Sequence, residues 1–447
     1  MTTTTDTIVA IATANGIGSI AIVRLSGSKA VEIAKQITKK KNFTPRYATL
    51  STLYNAKNEP IDEAIVLYFK APNSFTAEDV VEFQVHGGFV VAQSVLEAVL
   101  ACGARVAEAG EFSKRAFFNG RIDLSEAEAI AKLIEAKSED AAKVLVRQLK
   151  GELKDFIEKL RSTLIELLAY SEVTIDYAEE DLPDDLVAQM QQKVVGVVAL
   201  LENIIATSKA RSGLMQGFRV AIVGKPNVGK SSLLNALLRY ERAIVSSVAG
   251  TTRDTIEEQI KIGTHLIRIV DTAGIRQADD TIEKIGIQRS VEAIKECDIV
   301  LALFDGSGEF ESEDKEIVEL IEQYVDGKTV IFIKNKIDLP QKLTCDIVFD
   351  VELNVKSGVE LLVAKLQTLL DQNNTSEEPL LVSSRQITAV EKALEATKSA
   401  NEPLEDGELE IFSFYLNQAI VALNGITKGY ENDEMLDAMF GSFCLGK

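Results

Sequence analysis

The chain has few of the residues on which several common kinds of site depend. Its 447 residues include only two histidines, His86 and His265, so a histidine-based catalytic triad or metal cage is poorly supported. The four cysteines are widely scattered and form no Cys-x-x-Cys pair, which argues against a zinc site and against a disulfide framework. We therefore expect a protein of a reducing compartment.

Long apolar runs and a basic excess are also missing. No uninterrupted apolar stretch approaches the length that spans a bilayer, and the N-terminus carries no basic leader, so we expect a soluble, cytoplasmic protein with no membrane partner. The 48 basic and 68 acidic residues give a formal net charge of −20, which disfavours broad binding of nucleic-acid phosphates. An RNA substrate would need a basic partner or a small local patch.

The pattern along the chain predicts several domains. Strand-like runs and one amphipathic helix in residues 1–120 indicate a compact α+β domain. Residues 121–212 and 381–447 read as two parts of one helical domain. Ser125 and Glu128 fit a capping box at the start of a helical run that continues to about Tyr170.

Residues 213–380 have a different sequence pattern, which predicts buried strands that alternate with helices. The runs FRVAIVG, LIRIVD, IVLALFD and TVIFIKN are typical of parallel strands covered on both faces. They predict a doubly wound α/β domain inserted between the two helical segments. The predicted fold class is thus multidomain, α/β and α+β.

A phosphate-binding loop opens the inserted domain. The sequence GKPNVGKS, residues 224–231, follows a strand and begins a helix, which is the context that makes this motif a strong signal. Lys230 would reach the terminal phosphates and Ser231 would coordinate Mg²⁺, while the helix N-terminus adds its positive end.

Two further motifs follow in register and select a guanine nucleotide. DTAG, residues 271–274, comes after a strand, so that Asp271 can hold a magnesium-bound water and the Gly274 N–H can sense the terminal phosphate. NKID, residues 335–338, follows another strand, and the Asp338 carboxylate can accept both N–H donors of the guanine edge. The predicted ligand is GTP. The later segment LNVKSG is too degraded for base contacts to be assigned.

The residues between the phosphate loop and DTAG supply a second magnesium ligand, for which we favour Thr252. Ile275 stands where many small GTPases hold the glutamine that orients the attacking water, and an apolar side chain cannot do this. Asp279, Asp280 and Glu283 are the nearest candidates, although their spacing alone favours a solvated acidic loop.

Taken together, the motifs predict a set of nucleotide contacts. The predicted GTP-binding residues are Gly224, Asn227, Val228, Gly229, Lys230, Ser231, Ser232, Ser246, Thr251, Thr252, Asp271, Thr272, Ala273, Gly274, Asn335, Lys336 and Asp338.

With GKPNVGKSSLLN, AGTTRD and DTAGIR read, the chain resembles the MnmE/TrmE family of tRNA modification GTPases. The likeness extends to TIVAIATANGIGSIAIVRLSG, SFTAEDVVEFQVHGG, AGEFSKRAFFNGRIDLSEAEAI and the terminal FCLGK, and so covers nearly the whole chain. The resemblance implies a homodimer that acts with the flavoprotein MnmG (GidA), in a heterotetramer or larger complex. Together they add a carboxymethylaminomethyl or aminomethyl group to C5 of the wobble uridine of tRNA.

The resemblance also implies roles for particular residues. The one-carbon unit would come from 5,10-methylene-tetrahydrofolate or a 5-formyl analogue. The residues that match the folate site are Arg24, Glu82, Arg121 and Lys447. Without the resemblance, Arg24 and Glu82 would be interpreted as surface or turn residues. The resemblance further implies that K⁺ and dimerisation of the G domains stimulate hydrolysis. The K⁺ ligands match Asn227, Ser246, Val248 and Thr251, and the catalytic residues match Glu283 and Cys444.

Two other functions stay open at this point. One is a GTP-switched assembly or signalling factor without modification chemistry, and the other is a folate-dependent one-carbon enzyme with no RNA substrate. The sequence also leaves open the chemical role of Cys444, the way tRNA is held, the choice between glycine and ammonium as donor, the nucleotide affinity and the arrangement of the G domains.

Overall fold

The computed structural model describes residues 6–14, 16–176, 186–240, 258–270, 291–325, 328–372, 378–428, 433–443 and 446. The chain divides into two compact units. The first comprises Met1–Ile134, Gln148–Val198 and Thr388–Lys447, and the second comprises Glu135–Arg147 and Ala199–Ile387.

Most of the described residues outside the two sheets are helical. In chain order they are α1 Ala30–Thr38, α2 Phe89–Ala101, α3 Glu111–Phe118, α4 Leu124–Glu135, α5 Glu139–Leu149, α6 Glu152–Asp176, α7 Leu186–Ala210, α8 Ser212–Gln216, α9 Lys230–Tyr240, α10 Ser312–Tyr324, α11 Val359–Gln372, α12 Ser384–Ser399, α13 Asn401–Glu405, α14 Leu409–Thr427 and α15 Asp433–Gly441.

The first unit contains a sheet with the strand order β3-β4-β5-β2-β1-β6. Its strands are β1 Ile8–Ile11, β2 Ile20–Ser26, β3 Thr49–Tyr54, β4 Pro60–Phe69, β5 Val80–His86 and β6 Arg105–Val106. Neighbours are antiparallel except β1 and β6. Val9 packs in a core cluster with α1 and α2, whereas Ile8 and Ala10 pack with Phe112 of α3. Because strand residues alternate between faces, both faces of β1 are covered.

The helical run after residue 121 differs from the prediction in two ways. The side chain that caps α4 is Asp123, whose Oδ1 accepts from the Glu126 N–H at 2.8 Å while Glu126 Oε2 accepts from the Asp123 N–H at 2.8 Å. The predicted box of Ser125 and Glu128 is therefore wrong; both lie inside α4 and are buried. The predicted helical run consists of three helices, α4, α5 and α6, and Gly151 adopts φ 92° between the last two.

Helix α14 is long and apolar enough, by length and composition alone, to cross a membrane. Its side chains Phe412, Leu416 and Leu423 are buried. Ser171 of α6 donates from Oγ to the Leu409 carbonyl at 3.2 Å, so the start of α14 contacts α6. A helix with one buried face that packs on a neighbour is what the core of a folded unit also requires.

The second unit contains a sheet with the strand order β12-β11-β10-β7-β9-β8. Its strands are β7 Phe218–Val223, β8 Glu258–Ile262, β9 His265–Ile269, β10 Ile299–Asp305, β11 Thr329–Asn335 and β12 Val351–Glu352. All neighbours are parallel except β8 and β9. The four apolar runs form strands as predicted. The edge strand β8 was not predicted, because only Ile260 and Ile262 are apolar and buried.

Both faces of this second sheet are covered. Val220 and Ile222 of β7 pack in a cluster that includes buried leucines of α9 and α11. Ala221 and Val223 face the opposite cluster, which includes Ile321 of α10. The loops that follow β7, β10 and β11 consequently meet at the carboxyl edge of the sheet, where ligands bind in folds of this kind.

Candidate nucleotide site

The loop between β7 and α9 has a backbone that requires glycine at both ends. Gly224 adopts φ 156° and Gly229 adopts φ 109°. A Cβ on Gly224 would lie 2.5 Å from the Leu303 carbonyl oxygen, and a Cβ on Gly229 would lie 2.5 Å from Asn335 Nδ2. Asn227 adopts φ 63° and is exposed at the turn. These close approaches curl the loop at the N-terminus of α9, as anion binding requires.

Lys230 lies across this loop. Its Nζ donates to the carbonyl oxygens of Gly224 at 2.5 Å and Lys225 at 2.8 Å. Burial lowers the pKa of Lys230 to about 8, since no carboxylate is among its hydrogen-bond partners in the described part of the chain. Ser231 and Ser232 follow in the first turn of α9. The loop, the lysine and the hydroxyls thus lie at one helix N-terminus.

The guanine motif is joined to the phosphate loop by Asn335, the last residue of β11. Asn335 is 3% exposed. Its Nδ2 donates to the Val228 carbonyl at 2.8 Å, and its Oδ1 accepts from the Val355 N–H at 3.2 Å. One side chain therefore connects β11, the phosphate loop and the LNVKSG segment. The last of these contacts had no sequence assignment.

Lys336 and Asp338 complete the described part of the guanine motif. Lys336 adopts φ 62°, and its Nζ lies 2.5 Å from Asp305 Oδ2 at the end of β10. Burial acts to raise the pKa of Asp305, but hydrogen bonds from Lys336 and Ser307 outweigh it and hold the pKa below its usual value. Asp338 is exposed, so its carboxylate is accessible to a ligand.

The structure thus brings the phosphate loop and the guanine motif to one edge of the sheet. The other predicted nucleotide, metal and catalytic residues lie outside the described residues, as does one predicted folate residue: Ser246, Val248, Thr251, Thr252, Asp271, Thr272, Ala273, Gly274, Glu283, Cys444 and Lys447.

Sequence reasoning missed three residues that support this site, Lys225, Asp305 and Asp314. Lys225 contacts Asp314 at the start of α10 at 2.7 Å, and Asp305 contacts Lys336. One signal was available, because Glu311 and Asp314 have the spacing of a capping box before an amphipathic helix. The pairing of Asp314 with Lys225 joins residues 89 positions apart, and no local pattern encodes it.

A second candidate site lies in the first unit, where Arg24 and Glu82 are opposite each other on β2 and β5. Arg24 Nε lies 2.8 Å from Glu82 Oε1, and the two side chains are 22% and 13% exposed, so neither is a free surface group. The Arg24 guanidinium also lies 5.7 Å from the Phe75 ring centroid and 5.8 Å from that of Phe112. The pair therefore combines charge with aromatic surface.

Gly446, a described residue of the C-terminal motif, contacts this second site. Arg24 Nη1 lies 3.5 Å from the Gly446 carbonyl oxygen. Gly446 adopts φ 91°, and a Cβ there would lie 2.6 Å from the Ile11 carbonyl oxygen, so Gly446 packs closely against the end of β1. Arg121, the remaining predicted residue, is exposed and acts on the pKa of Glu126. Among the described residues no contact joins Arg121 to Arg24 or Glu82.

Two family models and several full-length relatives match the chain, and all of them carry the name MnmE or TrmE. The family model for the MnmE helical domain matches residues 124–444, and that for the GTP-binding protein TrmE N-terminus matches residues 7–121. The chain is 66% identical over 443 residues to the tRNA modification GTPase MnmE of Sulfurimonas denitrificans, with 99% of each chain covered. The corresponding proteins of Nitratiruptor sp. and Aliarcobacter butzleri are 60% and 57% identical, again over 99% of each chain.

We predict that the affinity of this site for a guanine nucleotide falls as the pH rises above about 8. The pKa of Lys230 is about 8, and phosphate oxygens beside the ammonium raise it, so binding takes up a proton above that pH. The nucleotide affinity has its full, pH-independent value below about pH 8 and decreases by up to about tenfold per pH unit above it. Fluorescence titration with a labelled GDP between about pH 7 and about pH 9 measures the slope.

Lys230→Arg is the matched control, because a guanidinium keeps its charge over this whole range. Its absolute affinity is lower, but its pH slope should be flat. A slope in Lys230→Arg equal to that of the unmodified chain would assign the titration to another group.

Proposed function

The chain belongs to the MnmE/TrmE family, and from this membership and the two sites we propose that it works as the GTP-hydrolysing subunit of a complex that modifies the wobble uridine of tRNA. It is a GTPase of tRNA modification. The observation that carries the proposal is the Asn335 link, which sets the phosphate loop and the guanine motif in one site.

The described residues have separate roles toward GTP. Lys230 exchanges its carbonyl partners for phosphate oxygens, and the N–H groups at the start of α9 hold the same phosphates. Asp338 accepts two hydrogen bonds from the guanine edge, which excludes adenine. The Ser231 hydroxyl in the first turn of α9 is of the chemistry that holds Mg²⁺, with Thr252 as its proposed counterpart; the ion supplies charge neutralisation on the phosphates.

Potassium is the proposed activator of hydrolysis. Asn227 is exposed at the turn of the phosphate loop, and its side-chain amide oxygen has the chemistry of a K⁺ ligand. Ser246, Val248 and Thr251 are the other proposed ligands, and K⁺ supplies the positive charge that other GTPases obtain from an arginine. Because Ile275 cannot orient water, we assign that task to Glu283.

The second proposed site takes a tetrahydrofolate. The Glu82 carboxylate can accept the N–H donors of a pterin, Arg24 can pair with a carboxylate of the ligand, and Phe75 and Phe112 supply aromatic surface. The folate supplies the one-carbon unit. Arg121 and Lys447 are further proposed contacts, and the Gly446 contact supports a role for Cys444, two residues earlier in the sequence.

The proposed organisation follows the family. Residues 1–120 form the folate-binding and dimerisation domain, 121–212 and 381–447 the helical domain, and 213–380 the G domain. A chain of net charge −20 needs help to hold tRNA, and we assign that help to the flavoprotein partner MnmG. The complex acts in the cytoplasm. The Arg24 site favours this function over a GTP-switched assembly factor, which needs no folate.

We expect GTP hydrolysis by the purified chain to be faster in K⁺ than in Na⁺ at matched ionic strength, by about tenfold or more. The reason is that an ion of the correct size adds positive charge beside the phosphates. Turnover of GTP and ATP in the two buffers measures this, and ATP should be inactive in both. Asn227→Ala should remove the difference between the salts. Equal rates for the unmodified chain in K⁺ and Na⁺ would contradict the potassium proposal.

Arg24→Ala should weaken binding of 5-formyl-tetrahydrofolate by about 10- to 100-fold, because a charge-assisted hydrogen bond contributes about 1.5–3 kcal/mol. Equilibrium dialysis measures the affinity. The matched control is Arg46→Ala, which removes an exposed arginine of the same unit that also lies over an aromatic ring. Equal folate affinity in the two variants, with GDP binding intact, would refute the assignment of this site.

A further inference from the structure

The side chain of Lys225 leaves the phosphate loop and ends between two carboxylates. Its Nζ lies 2.7 Å from Asp314 Oδ2 and 2.8 Å from Glu311 Oε2. The Lys225 side chain is only 12% exposed, and Asp314 is 1% exposed. At such burial the geometry of an ion pair is held by its surroundings, unlike that of a surface pair.

Asp314 is itself fixed by the helix that carries it. Its Oδ2 also accepts from the Glu311 N–H at 3.0 Å, and the Glu311 side chain accepts from the N3 backbone, so the two acids form a capping box at the start of α10. Glu311 is the N-cap residue and Asp314 lies in the first turn, where the helix dipole favours negative charge. Lys225 therefore binds a rigid anchor.

The same stretch of chain also contacts the guanine motif. Residues 305–314, here named the acidic bracket, begin at Asp305, which pairs with Lys336. The Gly306 N–H donates to the Asn335 carbonyl at 2.9 Å, and the Gly306 carbonyl accepts from the Lys342 N–H at 2.9 Å. One end of the acidic bracket thus contacts the guanine motif, and the other end contacts the phosphate loop.

Lys225 links this bracket to the phosphate-binding Lys230 through its own backbone. The Lys225 carbonyl accepts from Lys230 Nζ at 2.8 Å, next to the Gly224 carbonyl that accepts from the same group. The ion pair of Lys225 therefore anchors the same residue whose carbonyl holds Lys230 before a phosphate arrives. Small displacements of such groups have large effects on binding and rate.

We propose that Lys225, through Asp314 and Glu311, is a positioning residue that fixes the phosphate loop relative to the guanine motif, so that a guanine nucleotide is gripped at both ends. Lys225 does not touch the nucleotide in this arrangement. The inference rests on the proposed GTP site. It adds that the acidic bracket, which lies outside the nucleotide motifs, holds the phosphate loop and the guanine motif in place.

A purely structural ion pair is the competing explanation, since removal of one partner from a buried pair destabilises any fold. The two explanations predict different effects on nucleotide release and KM. A structural pair changes the unfolding temperature and leaves the release of nucleotide from folded protein unchanged. A positioning pair changes the release rate and KM.

The experiment compares Lys225→Met, Lys225→Arg and Lys315→Met in the full chain. Lys315 is on α10, the helix that carries Asp314; it is 72% exposed and pairs only with Glu319 among the described residues, so it is the matched control. Release of a fluorescently labelled GDP is followed by stopped flow, with KM, kcat and the unfolding midpoint measured alongside. We expect Lys225→Met to release GDP about tenfold faster, Lys225→Arg to restore most of the loss, and Lys315→Met to match the unmodified chain.

Asp314→Asn gives an independent arm, because its amide keeps an oxygen that can cap α10 while the charge is lost. We expect it to accelerate GDP release as Lys225→Met does, and the double variant to be no worse than either single one. Faster release in Lys225→Met but slower release in Asp314→Asn would show that Lys225 binds phosphate directly and would overturn the proposal. Unchanged release with lower unfolding midpoints, or additive effects in the double variant, would also overturn it.

Failure of the underlying function is distinguishable from these results. If the unmodified chain does not bind labelled GDP, the nucleotide site itself is refuted. If the unmodified chain binds it and the Lys225 and Asp314 variants behave like Lys315→Met, only the positioning role is refuted.

Discussion

The hydrogen bonds of the Asn335 side chain are the constraint on which the nucleotide site depends. They join the Val228 carbonyl of the phosphate loop to the Val355 N–H beyond β12, from the end of β11. A buried amide that loses such partners leaves polar groups unsatisfied at a cost of about 1–3 kcal/mol each. The need for glycine at position 229 follows from the same contact, because a Cβ there would collide with Asn335 Nδ2.

Three lysines concentrate positive charge at this edge of an otherwise acidic chain. Lys225 and Lys336 are neutralised by acids at the two ends of the acidic bracket, Asp314 and Asp305. Lys230 instead has two neutral carbonyl partners, and its pKa is lowered to about 8. Lys225 and Lys336 thus stabilise the loops around the site through ion pairs. Lys230, which has neutral partners, is the lysine that a bound phosphate stabilises most. The division of roles follows from what each ammonium contacts.

Much of the fold was predictable because its signals are local. The apolar runs that became β7, β9, β10 and β11 are continuous, and the motifs after β7 and β11 lie where their loops require. Errors came where two local solutions compete. Asp123 and Ser125 are both good cap residues two positions apart, and only the observed contacts of Glu126 decide between them. Strand β8 has too few apolar residues to be recognised alone.

The site was predictable only in its nucleotide motifs. Arg24 and Glu82 are 58 residues apart, and without the family likeness nothing in their spacing places them together. The pairing of Lys225 with Asp314 likewise depends on how β7 and β10 lie side by side in the parallel sheet. Contacts of this kind arise from tertiary structure, so propensity and periodicity do not reveal them.

Hydrogen exchange of the phosphate loop in Asn335→Ala, read together with GDP affinity, tests the central claim most directly. The account predicts that amides in residues 224–231 exchange about tenfold faster or more, because about 1.4 kcal/mol of local stability corresponds to that factor, and that GDP binds correspondingly more weakly. Asn354→Ala, which among the described residues removes only a local turn contact with the Lys356 N–H, should leave both unchanged. Unaltered exchange of residues 224–231 in Asn335→Ala, with GDP affinity preserved, would contradict the claim.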